Sequence, residues 1–178
     1  MLPIGPLMIE HRLIEKMIQM MQGKAEIWRR EERIDREFVD EAVDFLRVYA
    51  DKCHHGKEEG ILFRELGRKQ LFGEHLRLME ELVEDHRQAR KTVVKMVEAK
   101  EEYILGSKGM LPVILDCMEF MTDFYPRHIE KEDKHFFLPC MNYFTPEEKD
   151  LMLKEGWEYD KNLIHDLYRE KINMWDAR

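Results

Sequence analysis

The segment Cys53–Phe63, CHHGKEEGILF, reappears later in the chain as Arg127–Phe137, RHIEKEDKHFF. The alignment matches His54 with His128, Lys57 with Lys131, Glu58 with Glu132, Glu59 with Asp133 and Phe63 with Phe137. A looser copy lies upstream of each, where IEHRLIEKM from Ile9 aligns with EDHRQARKT from Glu84, pairing His11 with His86 and Arg12 with Arg87. Each half of the chain therefore carries a lone histidine and then, after a nearly equal interval, a histidine four residues before a glutamate. At 3.6 residues per turn, that spacing of four brings both side chains to one helix face.

The surrounding sequence has the period that such faces require. Apolar residues at 7, 8, 9, 13, 14, 17, 18, 20 and 21 recur at helical spacing and predict a first helix ending near Gly23 or running to about Arg30. Asp35 is placed to cap a second helix whose apolar residues include Phe38, Val39, Ala42, Val43, Phe45, Leu46 and Tyr49. Gly60, Gly67 and Gly73 suggest a turn with a short helical piece, followed by a third helix from about Glu74 to Leu105. The fourth helix carries Pro112 near its first turn and Pro126 as a kink site, and Pro139 marks its end. Thr145-Pro146-Glu147-Glu148 begins one or two further helices. The expected fold is all-α: an up-down-up-down four-helix bundle over residues 1–140, with a C-terminal helical extension over residues 141–178 packed on it.

Composition narrows the function classes. With 178 residues, 44% of them hydrophobic, the chain has enough apolar surface for one core and too little length for two full domains. A formal net charge of -8 argues against a nucleic-acid surface, which needs a basic patch. Cys53, Cys117 and Cys140 lie far apart without a C-x-x-C pair, so a reducing, cytoplasmic setting is expected. Neither a leader segment nor a membrane span is read from the sequence.

In an antiparallel bundle the four inward faces bring His11, His54, Glu58, His86, His128 and Glu132 together near the axis. Imidazoles and carboxylates without a thiolate suit iron or manganese, and carboxylates shared between two cations offset charge that could not otherwise be buried. His75, His135 and His165 have no repeat partner. His55 precedes Glu59 by four residues, but its counterpart is Ile129, so the register is set through His54. A ferritin-like centre needs two Glu-x-x-His motifs, and only Glu132 to His135 fits.

With these motifs the chain resembles the hemerythrin HHE cation-binding family, over roughly Leu7 to Pro139. The resemblance implies two non-haem irons with a bridging oxo or hydroxo group. His11 and His54 would ligate one iron and His86 and His128 the other, with Glu58 and Glu132 bridging. Oxygen-carrying members place a further histidine where this chain has Arg90, so a ligand is missing, and their bridging aspartate falls at Asp133, beside Glu132. Glu132 is preferred because it pairs with Glu58 in the repeat. The expected function is binding or sensing of a small molecule, oxygen or nitric oxide, or handling of iron. The alternative is a redox enzyme that reduces peroxide, oxygen or nitric oxide, with Arg90 placed to stabilise a bound anion or help proton movement.

Overall fold

The computed structural model describes residues 1–161 and 164–176, and these form helices with no strand among them. Helix α1 spans Ile4–Glu31. Helix α2 covers residues 36–66 and helix α3 spans Gly73–Ile104. Helix α4 covers residues 110–140. Helices α5, Pro146–Tyr159, and α6, Ile164–Asp176, complete the chain.

The expected caps form where their chemistry predicts. Asp35 accepts a hydrogen bond from the Phe38 N–H at 3.2 Å, which satisfies one of the unpaired donors at the start of α2. Thr145 and Glu148 make a reciprocal capping box at the start of α5. Pro126 lies inside α4. The main difference from the sequence reading is at Gly60, which lies within α2 and not in a turn. Ile61, Leu62, Phe63 and Leu66 beyond it are all buried, and burying four large apolar side chains outweighs the roughly 1 kcal/mol that glycine costs inside a helix.

Both copies of the repeated motif share a departure from α geometry. Phe45–His55 and Glu58–Phe63 in α2, and Lys131–Phe136 in α4, are π-helical. Closing hydrogen bonds at i→i+5 puts more residues in each turn, so neighbouring side chains diverge by less than the roughly 100° of an α-helix.

The core is divided. One apolar cluster holds Trp28, Phe38, Phe45, Met96, Met118 and Met121, and the other holds Ile4, Leu66, Leu82, Phe136 and Phe137. A buried phenylalanine such as Phe38 or Phe136 is worth about 3–5 kcal/mol against alanine, so both ends of the bundle are held rigidly. The polar layer containing His11, His54, His86 and His128 falls between them. From the C-terminal segment, Trp175 meets Phe38 edge to face at 5.1 Å and Tyr168 donates to Asp44, seating α6 on the bundle. No helix among the described residues is long and apolar enough to cross a membrane.

Candidate metal centre

His11 on α1, His54 and Glu58 on α2, His86 on α3, and His128 and Glu132 on α4 meet in this layer, each no more than 1% exposed. The i,i+4 pairs share their faces as the spacing requires: His54 Nε2 lies 3.3 Å from Glu58 Oε1, and His128 Nε2 lies 3.4 Å from Glu132 Oε1. Each carboxylate also reaches across to the other half. Glu58 Oε2 is 3.3 Å from His86 Nε2, and Glu132 Oε2 is 3.2 Å from His11 Nε2.

A fifth imidazole joins them. His55, set aside in the sequence reading because its repeat counterpart is Ile129, is 1% exposed and stacks on His86 at 3.9 Å with the rings 11° apart. The π-helical backbone of α2 narrows the angle between adjacent residues 54 and 55, and both reach the layer. The ligand-type atoms of His55, Glu58, His86 and His128 lie within 4.8 Å of one another, as do those of His11, His54, Glu58 and Glu132. The layer thus gains from α2 an imidazole that position 90, an arginine, does not provide. The hints in the sequence were the His54-His55 doublet and the spacing of four from His55 to Glu59, which the repeat outweighed.

Every one of the five rings is held from outside by an acid at Nδ1. Asp133 meets His11 at 2.8 Å, Glu10 meets His54 at 2.8 Å, and Asp51 meets His55 at 3.4 Å. Glu59 meets His86 at 2.7 Å and Asp85 meets His128 at 3.2 Å. A carboxylate acceptor fixes the proton on Nδ1 and turns the Nε2 lone pair inward, the arrangement in which imidazole binds metal. Asp133, the competitor of Glu132 in the sequence, is one of these outer acids. Each acid in turn holds a cation: Arg12 on Asp133, Lys57 on Glu10, Lys131 on Asp85, and Arg90 on both Asp51 and Glu59. Arg90 is therefore committed to two outer acids. His75 bonds Tyr143 and His135 is exposed, both apart from the centre, while His165 pairs with Asp160 and lies 3.7 Å from Glu10, the outer acid of His54.

The inward atoms lack ordinary partners. All four oxygens of Glu58 and Glu132, and Nε2 of His55, His86 and His128, are buried without a hydrogen bond, although such groups cost about 1–3 kcal/mol each when left unserved. His11 Nε2 and His54 Nε2 face each other at 2.9 Å, two ring nitrogens turned toward one point. Protons take part of the strain. Burial opposes charge on His54, but Glu58 and Glu10 raise its pKa to about 10, and His86 is raised to about 11 by Glu132, Glu58 and Glu59 against the same burial. His55, buried and beside His86, is pushed well below the usual histidine range and stays neutral. The donor set thus fits cations shared by two carboxylates, with five imidazoles able to supply nitrogen ligands once the raised rings give up their protons.

No curated protein and no solved structure matches the chain. The model of the hemerythrin HHE cation binding domain matches residues 2–138, which hold every inward ligand-type side chain described above, and the chain belongs to that cation-binding family.

Proposed function

We propose that the chain is a non-haem di-iron protein that binds or senses a small molecule, oxygen or nitric oxide, or handles iron. The observation that carries this reading is the pair of buried carboxylates, Glu58 and Glu132, each presenting one oxygen to each of two imidazole groups. One position would draw on His11 and His54, and the other on His55, His86 and His128. Nitrogen and oxygen donors without thiolate suit iron, which supplies redox chemistry and open coordination when bound.

The protein's part is to hold the ligand lone pairs inward and to keep bulk water out. The two apolar clusters close the layer above and below. A cavity of about 150 Å³ lined by Asp51, His55, Arg90 and Tyr125 opens beside it, larger than the ~30 Å³ that one water occupies and so roomy enough to admit a diatomic molecule. Metal analysis with an optical spectrum of the air-oxidised protein tests the reading. The expected result is two irons per chain with oxo-bridge absorption, followed by a distinct adduct when the reduced protein is titrated anaerobically with oxygen or nitric oxide. Zinc in place of iron, or a single ion per chain, would overturn it.

A further inference from the structure

The two halves of the centre are related by the sequence repeat, and the relation extends outward: Glu10 and Lys57 serve His54 as Asp85 and Lys131 serve His128. Beyond that point they differ. The Lys131 side chain is 31% exposed, and the Asp85 it holds is 18% exposed, so this chain of contacts ends in water. The Lys57 side chain is 4% exposed, and its ammonium sits between Glu10 and Asp160, 2.7 Å from both Asp160 oxygens. Asp160 also accepts from Cys53 Sγ at 3.3 Å and lies 3.0 Å from His165 Nε2. Cys53, Asp160 and His165 lie close enough to hold a cation, but both Asp160 oxygens are already bound by the Lys57 ammonium.

Asp160 follows α5 and lies beyond the residues matched by the family model. Its position depends on a notch in α2. A Cβ at Gly56 would stand 2.4 Å from the Tyr159 hydroxyl, which donates to the Lys52 carbonyl at 2.8 Å. The repeat counterpart of Gly56 is Glu130, whose side chain would bar such an approach in the other half.

We infer that Asp160 is a positioning residue for the His11/His54 half of the centre, anchoring the Lys57–Glu10–His54 chain and strengthening His54 as a metal ligand. This rests on the di-iron reading above. Glu10 is a good acceptor for the His54 N–H only while it keeps its negative charge, and Lys57 draws on that charge. By sharing the ammonium, Asp160 leaves Glu10 free to hold the ring and raise its basicity. Outer partners of metal-binding histidines are typically worth 10–100-fold in affinity, and Asp160 acts one contact further out, so about tenfold is expected.

The test loads the full-length protein and its Asp160→Asn, Asp160→Glu and Gly56→Ala variants with ferrous iron, then follows release to a ferrous chelator, with the metal-free melting temperature measured alongside. In Asp160→Asn one equivalent leaves about tenfold faster and the other at the wild-type rate, while Asp160→Glu restores part of the loss. Gly56→Ala, which keeps the charge but shifts Tyr159, accelerates the same single equivalent by a smaller factor and stands in if Asp160→Asn does not fold. Unchanged release in Asp160→Asn and Gly56→Ala, or equal acceleration of both equivalents, overturns the inference and leaves the di-iron reading intact. Failure of the wild-type protein to take up two ions overturns the di-iron reading, and this inference with it.

Discussion

The half of the centre built on His11 and His54 and the half built on His86 and His128 are copies that have diverged at three places. The first is His55, which adds an imidazole to the second half where its counterpart Ile129 adds none to the first. The second is Gly56, which admits the C-terminal segment to the first half alone. The third is the arginine that steadies the outer acid. Arg12, next to His11, holds Asp133 at 2.5 Å. Arg87 occupies the matching place in the second half but pairs with Glu84, and Arg90, one turn further along, holds Glu59 at 2.8 Å instead. The inward carboxylates and the Nδ1–acid pairs are retained in both halves. What duplication kept is the part that fixes charge and lone pairs at the centre, and what it changed is the ligand count and the outer support.

Breaking a shared element should have the largest effect. Glu58 reaches both imidazole groups, so Glu58→Gln removes the one negative charge that the two positions share. No bound metal ion should survive gel filtration, an affinity loss beyond about 100-fold. Metal analysis of the eluted variant checks this, and retention of a full equivalent would show that Glu58 serves one half only.

His55→Ala should act on the second half alone. Removing one of three imidazoles is expected to weaken one equivalent by about 10–100-fold, in the range seen when support around a bound metal is lost. His54→Ala should weaken the other equivalent. Chelator titration that finds His55→Ala indistinguishable from wild type would return His55 to a packing role.

The five histidines were unequally legible. His54 and His128 follow from the i,i+4 interval to Glu58 and Glu132, which fixes a shared face in an α-helix, and the lone His11 and His86 follow from the repeat that pairs them. His55 does not. At α-helical geometry it points about 100° away from His54, and the π-helical backbone, which no sequence period announces, narrows that angle. The outer shell was half visible: Glu10, Asp85, Lys57 and Lys131 stood in the repeat, but pairing them with particular histidines required the helix packing. The helices themselves were read well from period and caps, except at Gly60, where burial of the following residues overrode a glycine signal.

Proton release should separate the neutral ring from the charged ones. His54 and His86, raised to about 10 and 11 by their acids, carry protons at neutral pH when no metal is bound. Metal loading must expel these protons, so metal affinity rises with pH below those values, by up to about tenfold per unit for each proton displaced. His55 is already neutral. Calorimetry in two buffers of different ionisation enthalpy should therefore find fewer protons released in His54→Ala and an unchanged number in His55→Ala. An equal reduction in both would mean that His55 is charged and that the contrast between the halves is smaller than its surroundings imply.

The smallest effect is expected at Arg90. Its guanidinium holds Asp51 at 2.7 Å and Glu59 at 2.8 Å, and through them His55 and His86. The side chain is 37% exposed, so solvent screening limits each ion pair to about 0.2–1 kcal/mol. Arg90→Gln keeps a donor and removes the charge. It should speed release of the second-half equivalent only a few-fold and leave the first-half equivalent unchanged, since Arg12 supports that half independently. A change of similar size in both equivalents would mean that the outer acids form one network around the centre, and the division into two supported halves would then hold only for the inward ligands.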